Sequence, residues 1–461
     1  MATGLIRRLD QYWFGPGSLG HVALFRIFVA GGHLFLFYPN LQRLAERFTA
    51  PNSEFMPIPA LKVLLLPLGE WGLRPDATLI QAVWVFGILA GIGAVLGKYT
   101  RLSLISFATV QSLLTAYDYS FGVGHHPDAL SIIMLWALAF SPCGERWSLD
   151  DLQWRLRSAG AVGRFAPLGP RDDASAFARW PLLLAQWLLA LAYLSAAASK
   201  MYFGGLEWFR SSTLAYYLVQ DGIWFDQPLG IFLAGYPALL SVAAVVTVLF
   251  EGTFFVAVLA PRTAWIYILT GVGLHVGILL TMAAPFLQWL VLYTAFLPTL
   301  ASTFPGSWIR ARIPAPKRWT VVYDGRCPLC IRSMVLLDYL DVRRNLTYLD
   351  LEAEWEKVRE AAPALTRERA LHLMHVVGPD GSLSGGFAAF REMTRVLPLL
   401  WPLYPLARAP LADLIGQRVY GLVASRRGRA PCGAEGCRVR EAGTPAANGG
   451  PADSRPVPSG T

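Results

Sequence analysis

This chain is poor in charge and poorer in cysteine. Asp, Glu, Lys and Arg make up 15% of its 461 residues, well under the roughly 25% of an ordinary soluble domain, and its mean hydropathy is +0.42. That shortage argues against a plain soluble protein and makes a membrane protein the first expectation. Five cysteines, Cys143, Cys327, Cys330, Cys432 and Cys437, are too few and too scattered for an extracellular disulfide framework. The formal net charge is +9, yet no basic stripe interleaved with aromatics accompanies it. The Lys and Arg residues flank apolar runs, so topology accounts for them better than nucleic-acid binding does. No internal repeat is evident. No small-residue cleavage site follows the first apolar stretch, which Arg26 and His33 interrupt, and that stretch reads as a retained span.

What the chain does have is a series of apolar stretches approaching the roughly 20 residues that cross a bilayer as a helix. They run at about 20–38, 78–97, 101–117, 128–142, 181–200, 237–259, 263–282 and 284–304, eight in all. With the N-terminus inside, one side collects Arg7, Arg8, Lys98, Arg101, Arg146, Arg155, Arg157, Arg164, Arg171, Arg179, Arg262, Arg310, Arg312, Lys317 and Arg318. Eight spans then return the chain to the cytoplasmic side of a bacterial inner membrane.

The segment "FPGSWIRARIPAPKRW" is a basic, proline-containing hinge that marks a domain boundary near residue 315. Beyond it the pattern changes to strand 319–324, helix 328–341, strand 346–351 and a polar helix 352–361. A Pro-Asp-Gly hairpin follows within "LHLMHVVGPDGSLSGG", then a helix at 387–397 and helical material to 424. This β-α-β-α-β-β-α order is the thioredoxin-like plan. The expected fold class is therefore a polytopic α-helical membrane domain, 1–310, joined to an α/β thioredoxin-like domain, 318–428. A Gly-, Pro- and Ala-rich tail, 438–461, is expected to be disordered.

The stretch "VVYDGRCPLCIRSMV" carries the clearest chemistry. A thiol attacks a disulfide only as thiolate, so exchange needs one exposed, activated cysteine and a second to resolve the mixed disulfide. Cys327 falls at the expected N-cap with Pro328 at the first helical position, where the helix dipole favours an anion and Arg326 adds to the effect. Cys330 lies one turn inside. Packing alone is an odd explanation for two cysteines flanking a proline after a strand. Zinc held by Cys327, Cys330, Cys432 and Cys437 would need pairs far more widely separated than in a zinc ribbon. Cys432 and Cys437 in "PCGAEGC" read either as a second redox relay or as incidental thiols.

These residues resemble the DCC thiol-disulfide oxidoreductases, whose Asp-Gly-x-Cys-x-x-Cys signature matches Asp324, Cys327 and Cys330. The resemblance covers about 319–425 and includes "GPDGSLSGG", "FAAFREMTRVLP" and "VYGLVASRR". It implies a thioredoxin-like fold, Cys327 as nucleophile, Cys330 as resolving thiol and Asp324 as an acid exchanging a proton with the buried thiol. The bland alternative for Asp324 is a turn-former at the strand end. Unlike thioredoxins proper, the chain has no proline just before the hairpin strand.

In the membrane half, Arg26, His33, Glu251 and His275 are ionisable residues within spans, and a buried Arg26–Glu251 ion pair is the expectation. "YDYSFGVGHHPDAL" gathers Asp118, His125, His126 and Asp128 in one outer loop, more readily a polar loop than a metal site. Lys200 ends the fifth span and reads as a snorkelling side chain or as a desolvated base. This half loosely resembles, over about 15–305, the horizontally transferred transmembrane domain, the family of the vitamin K-dependent gamma-carboxylase. The likeness rests on Arg26, on "HHPDALSIIMLWALAFSPCGERWSLDD" and on "YLSAAASKMYFGGLEW", where Lys200, Glu207 and Trp208 match the segment with the carboxylase's catalytic lysine. It implies Lys200 as a base and a hydrophobic pocket for a quinone or lipid. Gly144, Glu145 and Arg146 stand where the carboxylase has a functional histidine, which puts glutamate carboxylation in doubt. The expected partners are membrane lipids and a disulfide-bearing substrate or thiol reductant, and no cofactor or metal is firmly implied.

Overall fold

A computed structural model describes residues 2–65, 76–122, 127–167, 173–312 and 317–425. His125, His126, Cys432 and Cys437 lie outside the described residues. The chain divides into two compact units: Met1–Ala161 with Ala166–Lys317, and Val162–Phe165 with the residues from Arg318 onward.

The first unit is helical apart from a two-residue ladder between Gly17–Ser18 and Ala174–Ser175. Three of its helical runs are long and apolar enough to cross a membrane: Ala77–Leu96, Trp180–Phe209 and Pro261–Met282. A fourth results if Pro228–Ala234 and Pro237–Thr253, bent by 104°, count as one span. Eight spans are not shown. The stretch expected at 101–117 is a 20-residue helix, Thr100–Tyr119, but Arg101, Gln111 and Asp118 make it more polar than those three. Shorter still are Leu19–Phe35 at 17 residues and Pro127–Ala139 at 13. The last expected span breaks into Leu287–Leu292, a 3-10 turn Tyr293–Phe296 and Leu297–Ser302 with Pro298 inside its first turn.

Apolar side chains occupy both sides of these helices. Val22, Phe25, Phe107, Leu138, Leu189, Phe254 and Leu292 fill the common core, while Val85, Phe86 and Leu89 stand 53%, 53% and 62% exposed on Ala77–Leu96. An outward apolar face of this kind is compatible with a lipid surround.

Several internal charged groups find partners within the unit. Arg26, fully buried, is not the partner of Glu251. It donates through Nη2 to the Trp147 carbonyl at 2.6 Å, and Glu251 pairs with Lys200 instead. The reason is positional: the Trp147 turn ends beside the first long helix, and its carbonyls need donors. Asp150, three residues on, accepts from the Tyr99 and Thr100 amides at 3.0 and 2.8 Å and so fixes the start of Thr100–Tyr119.

The second unit is built on a four-stranded sheet. Strand β1 (Trp319–Tyr323) leads through helix α1 (Pro328–Leu340) to β2 (Leu346–Asp350), then α2 (Trp355–Ala361) and α3 (Arg367–His372). A hairpin of β3 (His375–Val377) and β4 (Leu383–Gly385) follows, then α4 (Phe387–Val396), α5 (Tyr404–Ala407) and α6 (Ala412–Ala424). The sheet order is β2-β1-β3-β4, with β1 and β2 parallel and the other pairs antiparallel. Val322, Leu349, Val358, Leu365 and Val377 form one core beside it, and α1 buries Ile331, Met334 and Val335. Gly416 lets α6 cross closely on α4, because a Cβ there would lie 2.3 Å from the Phe387 ring.

Tyr420 of α6 accepts a hydrogen bond from the Met374 amide at 2.9 Å, and the Met374 carbonyl accepts from the Gly386 amide at 3.0 Å. The backbone just ahead of β3 is therefore fully engaged. Tyr420→Phe strands the Met374 amide and is expected to destabilise the second unit by about 1–3 kcal/mol. Hydrogen exchange in the full-length protein reads this as lost protection at Met374, and unchanged protection there would contradict it.

Candidate active site

The chain reverses between β1 and α1 in four residues. Asp324 makes the turn: its Oδ1 accepts from the Arg326 amide at 3.0 Å, and its carbonyl accepts from the Cys327 amide at 3.2 Å. The turn-forming role is thus the one the geometry displays for this acid. From the adjacent strand end, Asp350 Oδ1 accepts the Gly325 amide at 3.2 Å. No side chain fits at Gly325, since a Cβ would lie 2.0 Å from the Asp350 carboxylate.

Cys327 follows as the N-cap of α1, in extended conformation, with Pro328 next. Its carbonyl accepts the first helical bond, from Ile331, at 3.0 Å. Its thiol makes no capping hydrogen bond and is not exposed: Cys327 is 1% accessible and Cys330 5%. The sequence placed Cys327 in solvent, but the short turn, bonded at Asp324 and Asp350, draws the N-cap side chain inside. Both cysteines are free thiols. Arg326 does not point its charge at them alone, for its guanidinium pairs with Glu352 at 3.2 Å, and Glu352 is shared with Arg367 at 3.0 Å.

Cys330 opens onto an apolar groove of about 400 Å³. Tyr323, Asp324 and Met334 line it near the thiol, with Phe390 and Met393 of α4 and Val419 and Tyr420 of α6 opposite. Burial, reinforced by the Asp350 and Glu354 carboxylates, pushes the Tyr323 phenol above its ordinary value, so this hydroxyl stays protonated through the neutral range.

Residues 321–432 match the family model of the DCC1-like thiol-disulfide oxidoreductases. The match covers a DCC1-like domain, not the whole chain. Over 117 residues the chain is 25% identical to "Uncharacterized protein At5g50100, chloroplastic" of Arabidopsis thaliana, covering 25% of this chain and 54% of the relative. The chain therefore spans about half the length of that curated relative. No solved structure matches.

The other candidates separate. Lys200 Nζ lies 2.8 and 2.7 Å from the two Glu251 oxygens and 5.3 Å from the centre of the Trp208 ring, so it is paired within the unit instead of snorkelling. Glu207 is exposed and pairs with Arg210 at 2.9 Å. Asp118 belongs to the helix Thr100–Tyr119, not to a loop, and bridges Arg43 and Arg47 at 2.9 and 3.2 Å. Among the described residues no group of three His, Cys, Asp or Glu could hold a metal ion.

Asp350 and Gly325 carry roles that sequence reasoning missed. The signal was present: strands that pair in parallel end side by side, so the acid closing β2 had to lie near the turn leaving β1. Gly325→Ala forces the Asp350 carboxylate away and breaks the amide bond it makes. A loss of about 1–3 kcal/mol is expected, seen as a lower denaturation midpoint of the second unit, and an unchanged midpoint would count against this packing.

Proposed function

We propose that the second unit is a thioredoxin-like thiol-disulfide oxidoreductase domain with Cys327 and Cys330 as its dithiol centre. The observation that carries this is the placement of the two free thiols at the N-cap and first turn of α1, directly after the end of β1. The DCC1-like match supports it. In the reaction, the Cys327 thiolate attacks one sulfur of a substrate disulfide, forming a mixed disulfide and releasing the other sulfur as a thiolate that takes up a proton. Cys330 then attacks Cys327, frees the second substrate thiol and leaves the Cys327–Cys330 disulfide. Two electrons and two protons pass to the substrate, and a thiol reductant regenerates the dithiol. Asp324, buried beside the groove, is the proposed acid that exchanges the Cys330 proton. Because Cys327 is 1% exposed, the Asp324–Cys327 turn opens for attack.

The first unit is proposed to anchor this domain at a bacterial inner membrane, and an even span count, four if the bent pair is one span, with the N-terminus inside puts the redox unit in the cytoplasm, whose reducing poise sets the direction as reduction. Its three candidate spans support residence in a membrane.

Full-length protein is expected to reduce a small disulfide. Cys327→Ser abolishes turnover, whereas Cys330→Ser stops after one event and accumulates a mixed disulfide on Cys327, detected by intact mass. Turnover that survives Cys327→Ser, or a mixed disulfide on the wrong cysteine, overturns the assignment.

A second reading concerns the Lys200–Glu251 ion pair inside the helical unit, in which Glu251 would have to take the proton that Lys200 loses to act as a base. Here the horizontally transferred transmembrane likeness makes Lys200 the base of a quinone- or lipid-handling site that the dithiol keeps reduced. Loss of quinone-dependent turnover in Lys200→Ala, with disulfide reduction intact, supports it. Equal quinone-dependent turnover in the variant rules it out.

A further inference from the structure

Helix α6 buries none of its 13 residues. One side of it is held: Gly416 crosses on the Phe387 ring, Asp413 pairs with Arg391 at 2.8 Å, and Tyr420 accepts the Met374 amide. The other side is apolar and open. Leu411 at the N-cap, then Ile415, Val419 and Leu422, follow one another by four, four and three residues and so share a face. They stand 64%, 57%, 55% and 64% exposed. The turns leading into α6 expose Leu399, Trp401 and Leu406 as well. A run of large apolar side chains on one open face marks an interaction surface.

Charge narrows the choice of partner. Between 399 and 429 the chain carries Arg408, Arg418, Arg426, Arg427 and Arg429, the last three beyond the described residues, against one acid, Asp413, which Arg391 already holds. Arg418 comes three residues after Ile415 and four before Leu422, which puts it at the edge of the apolar face. It is exposed and makes no ion pair among the described residues. A second copy of the chain would bring the same positive charge to the contact. An apolar helical face bordered by unpaired arginine suits the interface of an anionic bilayer, where the side chains enter the acyl boundary and the guanidinium meets phosphate.

This inference rests on the membrane residence proposed for the first unit. The last apolar helix of that unit ends at Ser302 and β1 begins at Trp319, and the chain between them spans at most about 60 Å when fully extended. A bilayer that holds the first unit is therefore within reach of the second.

We propose that α6 docks the second unit on the anionic phospholipid surface of that bilayer, with Ile415, Val419 and Leu422 in the acyl boundary and Arg418 among the phosphates. Val419 also lines the groove at Cys330, so the groove then opens beside lipid.

The test uses full-length protein in nanodiscs of phosphatidylcholine, with or without phosphatidylglycerol, each holding a trace of phosphatidylcholine with a diazirine on its acyl chain. After illumination, tryptic peptides 409–418 and 419–426 are expected to carry label in the phosphatidylglycerol discs. The label is expected to be at least about fivefold greater than in phosphatidylcholine alone, the factor that one arginine near an anionic surface contributes. Arg418→Gln lowers it by the same factor, and Ile415→Ser with Leu422→Ser brings it down to the level on β1 and β2. Both variants change exposed side chains, and an unchanged melting temperature shows that they fold. Label on Ala77–Leu96 reports the first unit separately: its absence overturns the membrane reading and this proposal with it. Labelled spans with bare 409–426, the result that a second copy or an apolar protein on this face would give, overturn the proposal alone. Equal label in the two kinds of disc, or in the folded variants, overturns it as well.

Discussion

The parallel register of β1 and β2 is the constraint on which the second unit depends. Tyr323 pairs with Asp350 at the last position of both strands, so the carboxylate closing one strand lies beside the chain leaving the other. Asp350 takes the Gly325 amide, Asp324 takes the amide of Arg326 and, through its carbonyl, that of Cys327, so each amide from Gly325 to Cys327 is bonded. The chain can then enter α1 at once, and the first cysteine becomes an N-cap. A register slip of one residue would move Asp350 away and turn every β2 side chain to the other face of the sheet.

The helical unit obeys a different constraint. In an apolar surround each internal polar group needs a partner from the chain itself. Arg26 uses a carbonyl, Lys200 and Glu251 use each other, and Gln186 donates to the Ala295 carbonyl at 2.9 Å where the last helical segment breaks. Tyr193, His275 and Tyr293 form a buried cluster, with Tyr193 bonded to His275 Nε2 at 2.5 Å and to the Tyr293 hydroxyl.

The second unit was legible because its signals are local. Strand ends, the hairpin and the α1 N-cap fell within a residue or two of the expected places, since Pro328, the Pro-Asp-Gly turn and alternating burial act over a few residues. The short helix α3 was not foreseen, although Thr366 caps it through the Arg369 amide, because one turn of helix carries little periodicity. The burial of Cys327 and the pairing of Arg326 with Glu352 were out of reach, as the first depends on how its turn is bonded to Asp350 and the second on where the β2–α2 turn brings Glu352. In the helical unit, hydropathy located apolar stretches but could not say which are long enough to cross. The Arg26 partner was invisible for a plainer reason: reading charges from a sequence suggests other charges, not a backbone carbonyl.

The bonds around Met374 bear on how a substrate reaches the thiols. A peptide can dock beside a thioredoxin-like active site by pairing with free backbone ahead of the hairpin strand. Here both Met374 backbone groups are taken, one by Tyr420 and one by Gly386, so that mode is closed. The remaining surface beside Cys330 is the apolar groove, whose far wall is α4 and α6. On the proposed function, recognition would come from side-chain contact with Phe390, Met393 and Val419, which would select for apolar bulk next to the disulfide and not for an extended backbone. Tyr420 serves both conditions at once, blocking the backbone route with its hydroxyl and lining the groove with its ring.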